Sequence, residues 1–119
     1  MQSFKKLKVW EKAHKLALDV YAGTSCFPRT EAFGLTSQVR RAACSIGANI
    51  AEGCCRKGDL ELGRFLQIAM GSASELEYHL LLAGDLEFLD SGAYRKLDEE
   101  TVEVKKMLAA FINRLKADS

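Results

Sequence analysis

The chain has 119 residues, 48% apolar and 28% charged, with one proline, four cysteines and a net charge of +1. This composition excludes intrinsic disorder, and no apolar run approaches the roughly 20 residues of a membrane-spanning helix. One domain over 1–119 is expected, with a core that needs no metal or disulfide staple.

Sixteen leucines and fifteen alanines against five valines and four isoleucines favour helix over strand. The first helix is expected over 3–26, where Leu7, Trp10, Ala13 or His14, Ala17 and Val20 or Tyr21 recur at three- and four-residue steps. Its opening, MQSFKKLKVWEKAHK, lacks the apolar stretch of a secretory signal, so a cytoplasmic location with reduced thiols is expected. Phe27-Pro28 ends the helix, because the residue before a proline is pushed out of the helical region.

The second helix is expected over 33–56, on a stripe of Leu35, Val39, Ala42, Ile46 and Ile50. Gly47 should weaken it by about 1 kcal/mol relative to alanine and mark a bend. Lys57-Gly58 reads as its stop, and Asp59 as the N-cap of the next helix. That third helix is expected over 60–89, with Leu62, Phe65 or Leu66, Ala69, Ala73, Leu76, Leu80 and Ala83 facing inward. Leu81, Leu82, Leu86 and Leu89 widen its apolar surface beyond what one bundle core needs. The fourth, over 93–116, places Leu97, Thr101, Val104, Leu108, Phe111 and Leu115 in a 4-3-4-3-4 pattern, which implies near-parallel packing. The expected fold is all-α, an up-down-up-down antiparallel four-helix bundle.

Charge is segregated along the chain, with net +3 over 1–26, +3 over 27–58, −6 over 59–90 and +1 over 91–119. The candidate phosphate contacts are Lys5, Lys8, Lys12 and Lys15 at the N-terminus, with Arg56 and Lys57 beyond the second helix. Lys8, Lys12 and Lys15 can line one helix face. Arg40 and Arg41 point about 100° apart, so they cannot serve one contact together. They either meet phosphate or close interhelical or subunit ion pairs with Glu52, Glu75 and Glu77. The other reading of every lysine here is a solvated helix face.

Catalysis finds little footing. No phosphate-cradling glycine loop or nucleophile elbow is present. Glu75 and His79 share a helix face, but the second half of a di-iron site is missing, so no metal and no cofactor are expected. Cys26, Cys44, Cys54 and Cys55 lack the paired spacing of a zinc site and read as small apolar fillers. Small residues at 42–48 and 69–74 permit close helix approach, in the core or between copies.

The string from Arg40 to Gly53, RRAACSIGANIAEG, and the string from Phe65 to Glu77, FLQIAMGSASELE, resemble the two hallmark motifs of the bacterial 23S rRNA intervening sequence proteins. Leu7 to Ala13 and Gly34 to Gln38 fit as well, and the resemblance covers roughly Phe4 to Leu115. Gly47 stands where many relatives carry proline. The resemblance implies a four-helix bundle assembling as a ring-like oligomer, a homopentamer. The chain is also similar to the accessory variability determinant of diversity-generating retroelements, a basic pentamer that binds nucleic acid and a reverse transcriptase. The family is named for reading frames inside 23S rRNA genes, which is a genomic location. Two functional expectations follow: a non-enzymatic oligomer that contacts RNA or DNA backbone through a basic face, or a structural protein-interaction oligomer with no nucleic-acid role.

Overall fold

Four long helices carry the structure, a computed structural model that describes residues 3–118: α1 Lys8–Thr24, α2 Leu35–Cys55, α3 Gly58–Asp85 and α4 Ser91–Asp118. Two short 3-10 turns, Phe4–Lys6 and Arg29–Glu31, precede α1 and α2. Among the described residues there is no strand. The helices pack α1 on α2, α2 on α3, α3 on α4 and α4 on α1, giving a body of 46 × 22 × 20 Å.

One apolar cluster runs through all four helices, built on Leu16, Ile46, Ile50, Leu66, Leu76, Leu80 and Leu108, all fully buried. Paired helices meet in opposite chain order. Tyr21 lies by Arg40, whereas Trp10 lies over Gly47. Ser45 bonds Ser72 at 2.9 Å, and Gly53 faces Leu62 and Phe65. Gly63 faces Leu115, whereas Gly84 faces Tyr94, and Gly23 faces Leu97.

The inward face of α1 differs from the expected stripe. Val9, Ala13, Leu16, Val20 and Thr24 are buried, whereas Trp10 and Ala17 sit at the edge against α2. Residues 3–7 do not join the helix, because Leu7 adopts an extended conformation (ψ 128°) after the 3-10 turn. In α4 the buried residue of the last turns is Ile112, and Phe111 and Leu115 are only partly covered. The buried set 97, 101, 104, 108 and 112 thus drifts as a 3.6-residue period must, away from a strict seven-residue repeat. Thr24 and Thr101 enter this core because their hydroxyls donate to Val20 O at 2.8 Å and Leu97 O at 2.7 Å.

Helix ends also depart from expectation. The N-cap of α3 is Lys57, and Asp59 lies in the first turn. α3 stops at Asp85 because Glu87 takes a left-handed conformation (φ 63°). There Phe88 N donates to Ala83 O at 2.9 Å and Glu87 N to Gly84 O at 3.0 Å, the paired bonds of a Schellman stop. Leu89 still folds back into the core, and Leu86 is left half exposed. α4 starts two residues early, at Ser91, because Asp90 Oδ1 accepts from Ala93 N at 2.8 Å and caps it.

Candidate functional site

Helix order re-sorts the charge that the linear sequence segregates. The start of α1, the α2–α3 turn and the end of α4 meet at one end of the molecule, residues 3–14, 50–67 and 108–118. This end carries nine lysines and arginines against five carboxylates. The opposite end, residues 20–41 and 75–100, carries five against nine. The near-neutral total therefore hides a charge dipole along a 46 Å axis.

At the basic end, Lys5 and Lys6 lie in the first 3-10 turn, and Lys8 opens α1. Arg56 and Lys57 form the exposed turn into α3, with Gly58 at φ +82° allowing the sharp reversal. Arg56 and Lys57 rim a concavity of about 480 Å³ floored by Leu7, Leu62 and Phe111. A second hollow beyond Leu7 and Phe111 is rimmed by Lys6, Lys8 and Arg114. Arg56 is held by Glu52 at 3.0 Å and lies 5.1 Å from the Phe65 ring, which Arg64 also covers at 4.7 Å. Lys5, Lys8 and Lys57 have no acidic partner among the described residues.

Lys12 and Lys15 behave differently, although they share a face with Lys8. Lys12 reaches Glu103 at 3.2 Å, and Lys15 bridges Asp19 at 2.7 Å and Glu100 at 3.3 Å. These contacts hold α1 to α4, and Lys96 adds a longer approach to Asp19 at 3.9 Å. The hydrogen bond from Lys15 holds the Asp19 carboxyl below its usual range. Burial, with the hydrogen bond to Asp19 behind it, pushes Glu100 up.

Arg40 and Arg41 lie near the other end. Arg40 makes no ion pair among the described residues. Its Nε donates to Thr24 Oγ1 at 2.8 Å, and its guanidinium covers the Tyr21 ring at 4.6 Å. Arg41 donates to Gln38 at 2.8 Å and approaches Glu75 at 3.8 Å. Glu77 turns to α4 instead, accepting from Lys105 at 2.7 Å. Around it burial, then the charges of Glu77 and Glu99, hold Asp98 above the usual carboxylate range.

The remaining polar candidates are structural in their contacts. Asn49 Nδ2 donates to Ser45 O at 2.8 Å, which ties it within its own helix. His14 stacks on Trp10 at 4.9 Å, whereas His79 sits against Tyr78. The cysteine expectation holds for Cys54 alone, where burial pushes the thiol up; Cys44 and Cys55 face outward from α2, and Cys26 is exposed in the turn after α1. No group of three or more His, Cys, Asp or Glu among the described residues is arranged to hold a metal ion. No helix among them is long and apolar enough to cross a membrane.

The family model for the 23S rRNA-intervening sequence protein matches residues 5–110. The chain belongs to this family. A solved relative from Bacteroides thetaiotaomicron, described as a protein of unknown function from the S23 ribosomal protein family, superposes with a TM-score of 0.82. It is 27% identical, and the match covers 87% of this chain and 97% of that one. Comparison with curated proteins finds no match. In this family member the motif RRAACSIGANIAEG is mainly an α2 packing surface, where Ala42, Ala43, Ile46 and Ile50 are buried and Gly53 touches α3.

Proposed function

We propose that this family member is a non-enzymatic, self-associating up-down-up-down bundle whose basic end holds the phosphate backbone of RNA or DNA. The observation that carries this reading is the group Lys5, Lys8 and Lys57, unpaired among the described residues and gathered at one end beside Arg56 and Arg114. Flexible ammonium groups around shallow hollows suit phosphates as point charges and read no base edges. Binding is then driven by counterion release, and each phosphate contact contributes about −0.9 to the slope of log K against log salt on a duplex. Three to five contacts give a slope of about −3 to −5. The protein works in the cytoplasm, as a ring of five copies.

Fluorescence-anisotropy titration of a labelled 23S rRNA fragment, at salt rising from about 50 mM, tests the reading. Tight binding at the lowest salt with that steep slope is expected. No binding at about 50 mM salt, where phosphate contacts are strongest, rejects it. A second reading, a protein-interaction oligomer without nucleic acid, is favoured by the exposed Phe33 and Leu60. It predicts normal assembly with no RNA retained at any salt.

A further inference from the structure

Leu7 and Phe111 line both hollows at the basic end, and the two hollows differ in charge. The one under Arg56 and Lys57 also holds Asp59. The other, of about 330 Å³ between the start of α1 and the end of α4, is lined by Lys6, Lys8 and Arg114 and by no carboxylate. None of these three cations makes an ion pair among the described residues. The rest of its lining is apolar and includes Leu7, Met107 and Phe111. On α4, Met107, Phe111 and Arg114 follow at four- and three-residue steps, so they share one face. The Arg114 guanidinium lies over the Phe111 ring at 5.2 Å, which sets a flat cation beside an aromatic ring. The α1 side is held in place as well. Phe4 packs edge-on against Trp10 at 5.0 Å, and Leu7 N donates to Phe4 O at 3.0 Å, which pins the turn that carries Lys6.

We infer that this hollow seats an unpaired base of a nucleic-acid strand whose phosphates the three rim cations hold. The inference rests on the phosphate-binding reading above and names the kind of strand, single rather than double. Three free cations without a carboxylate select an anionic occupant. The apolar lining between them calls for a flat, weakly polar body joined to that anion, and a nucleotide joins the two. The volume stands at the small end of ligand sites, about 300–1,000 Å³, which leaves room for one base at a time. In a duplex the bases are paired and stacked inside, so only phosphates reach the rim. An unpaired base can turn out and stack on an aromatic ring or on the plane of a guanidinium, here Phe111 and Arg114. The lining carries no neutral hydrogen-bonding side chain to read a ribose 2′-hydroxyl, so RNA and DNA strands are both accepted.

Fluorescence anisotropy at about 50 mM salt tests it with three labelled DNA probes of about 12 nucleotides. They are oligothymidine, an abasic strand with the same number of phosphates, and a duplex. Oligothymidine is expected to bind at least about fivefold tighter than the abasic strand, the lower bound for one stacked base. Ala110→Leu fills the hollow and leaves every cation in place. Ala110 is exposed, so circular dichroism should match the wild type. This variant is expected to bring oligothymidine down to the abasic strand, with the duplex unchanged. Phe111→Leu repeats the test by removing the ring while keeping an apolar contact with the core. An abasic strand that binds as tightly as oligothymidine overturns the base seat, and so does a gap that survives these substitutions. A 23S rRNA fragment that binds when none of the three probes does also overturns it, and leaves the phosphate reading standing. A fragment that fails to bind along with the probes overturns both.

Discussion

Lys12 Nζ lies 3.2 Å from Glu103 Oε1, one turn before Lys15 bridges Asp19 and Glu100. The face that reads as a continuous basic stripe in α1 is therefore split. Its first lysine, Lys8, points to solvent at the basic end, and the next two hold α4. The partners from other helices come from α4, although the linear charge map points to the strongly acidic α3.

This split predicts how nucleic-acid affinity responds to substitution. Lys8→Ala and Lys57→Ala should each lower the salt slope by about 0.9 and weaken binding to all sequences alike. Lys15→Ala should leave the slope unchanged, because that ammonium is shared by two carboxylates. Glu103→Gln should release Lys12 and steepen the slope. Anisotropy titrations of the four variants check this, and equal effects at Lys8 and Lys15 would contradict it.

Two glycines in α2 should respond to alanine with opposite sign. At Gly47 an added Cβ meets the Trp10 ring at 3.5 Å, an ordinary contact, so Gly47→Ala recovers helix propensity and stabilises by about 1 kcal/mol. At Gly53 the Cβ would stand 2.9 Å from Phe65 Cβ and 3.0 Å from Leu62 Cδ1. Phe65 Cβ is fixed to the α3 backbone, so Gly53→Ala forces the helices apart and costs about 1–3 kcal/mol. Urea denaturation of both variants checks the pair.

These glycines mark how far the sequence was legible. The α2 stripe of Leu35, Val39, Ala42, Ile46 and Ile50 is buried as its three- and four-residue spacing requires. In α1 two stripes compete, and the bulk of Trp10 draws attention to the wrong one. The core needs Val9 and Leu16, whereas the indole lies across Gly47 at the helix boundary. Gly47 therefore serves a close approach to an aromatic ring, which no spacing rule within α2 can reveal. The basic end was half legible. Lys5, Lys8, Arg56 and Lys57 do converge, but Lys12 and Lys15 depend on α4 carboxylates about 90 residues away, and Arg40 on a threonine of α1. Pairings across such separations follow from helix order and register, which periodicity alone leaves open.

The Schellman stop of α3 offers a stabilising change. Glu87 holds φ at 63°, a conformation that costs a non-glycine residue about 1–2 kcal/mol. Glycine carries no such penalty, although it gains freedom in the unfolded chain. Glu87→Gly should stabilise by about 1 kcal/mol net and raise Tm by about 4 °C. Calorimetry checks it, and an unchanged or lower Tm counts against strain at this stop.

The pH dependence of the α1–α4 clasp follows from two carboxylates displaced in opposite directions. Glu100 is held above its ordinary range, first by burial and then by the bond to Asp19, so the folded state binds its proton more tightly than the unfolded state. Stability from this group therefore rises as pH falls from neutral through the raised value toward about 4.3, the ordinary glutamate range. Asp19 is held low, chiefly by Lys15, so its contribution is present above about 3.9 and is lost only in stronger acid. Glu100→Gln should remove the first effect. Relative to the wild type, it should be more favourable at pH 7 than at pH 5. Asp19→Asn should destabilise at pH 7, by an amount that is lost in acid as the pH falls through the lowered Asp19 value. Urea midpoints of the three proteins across this range decide the matter, and parallel curves would show that neither carboxylate titrates differently on folding.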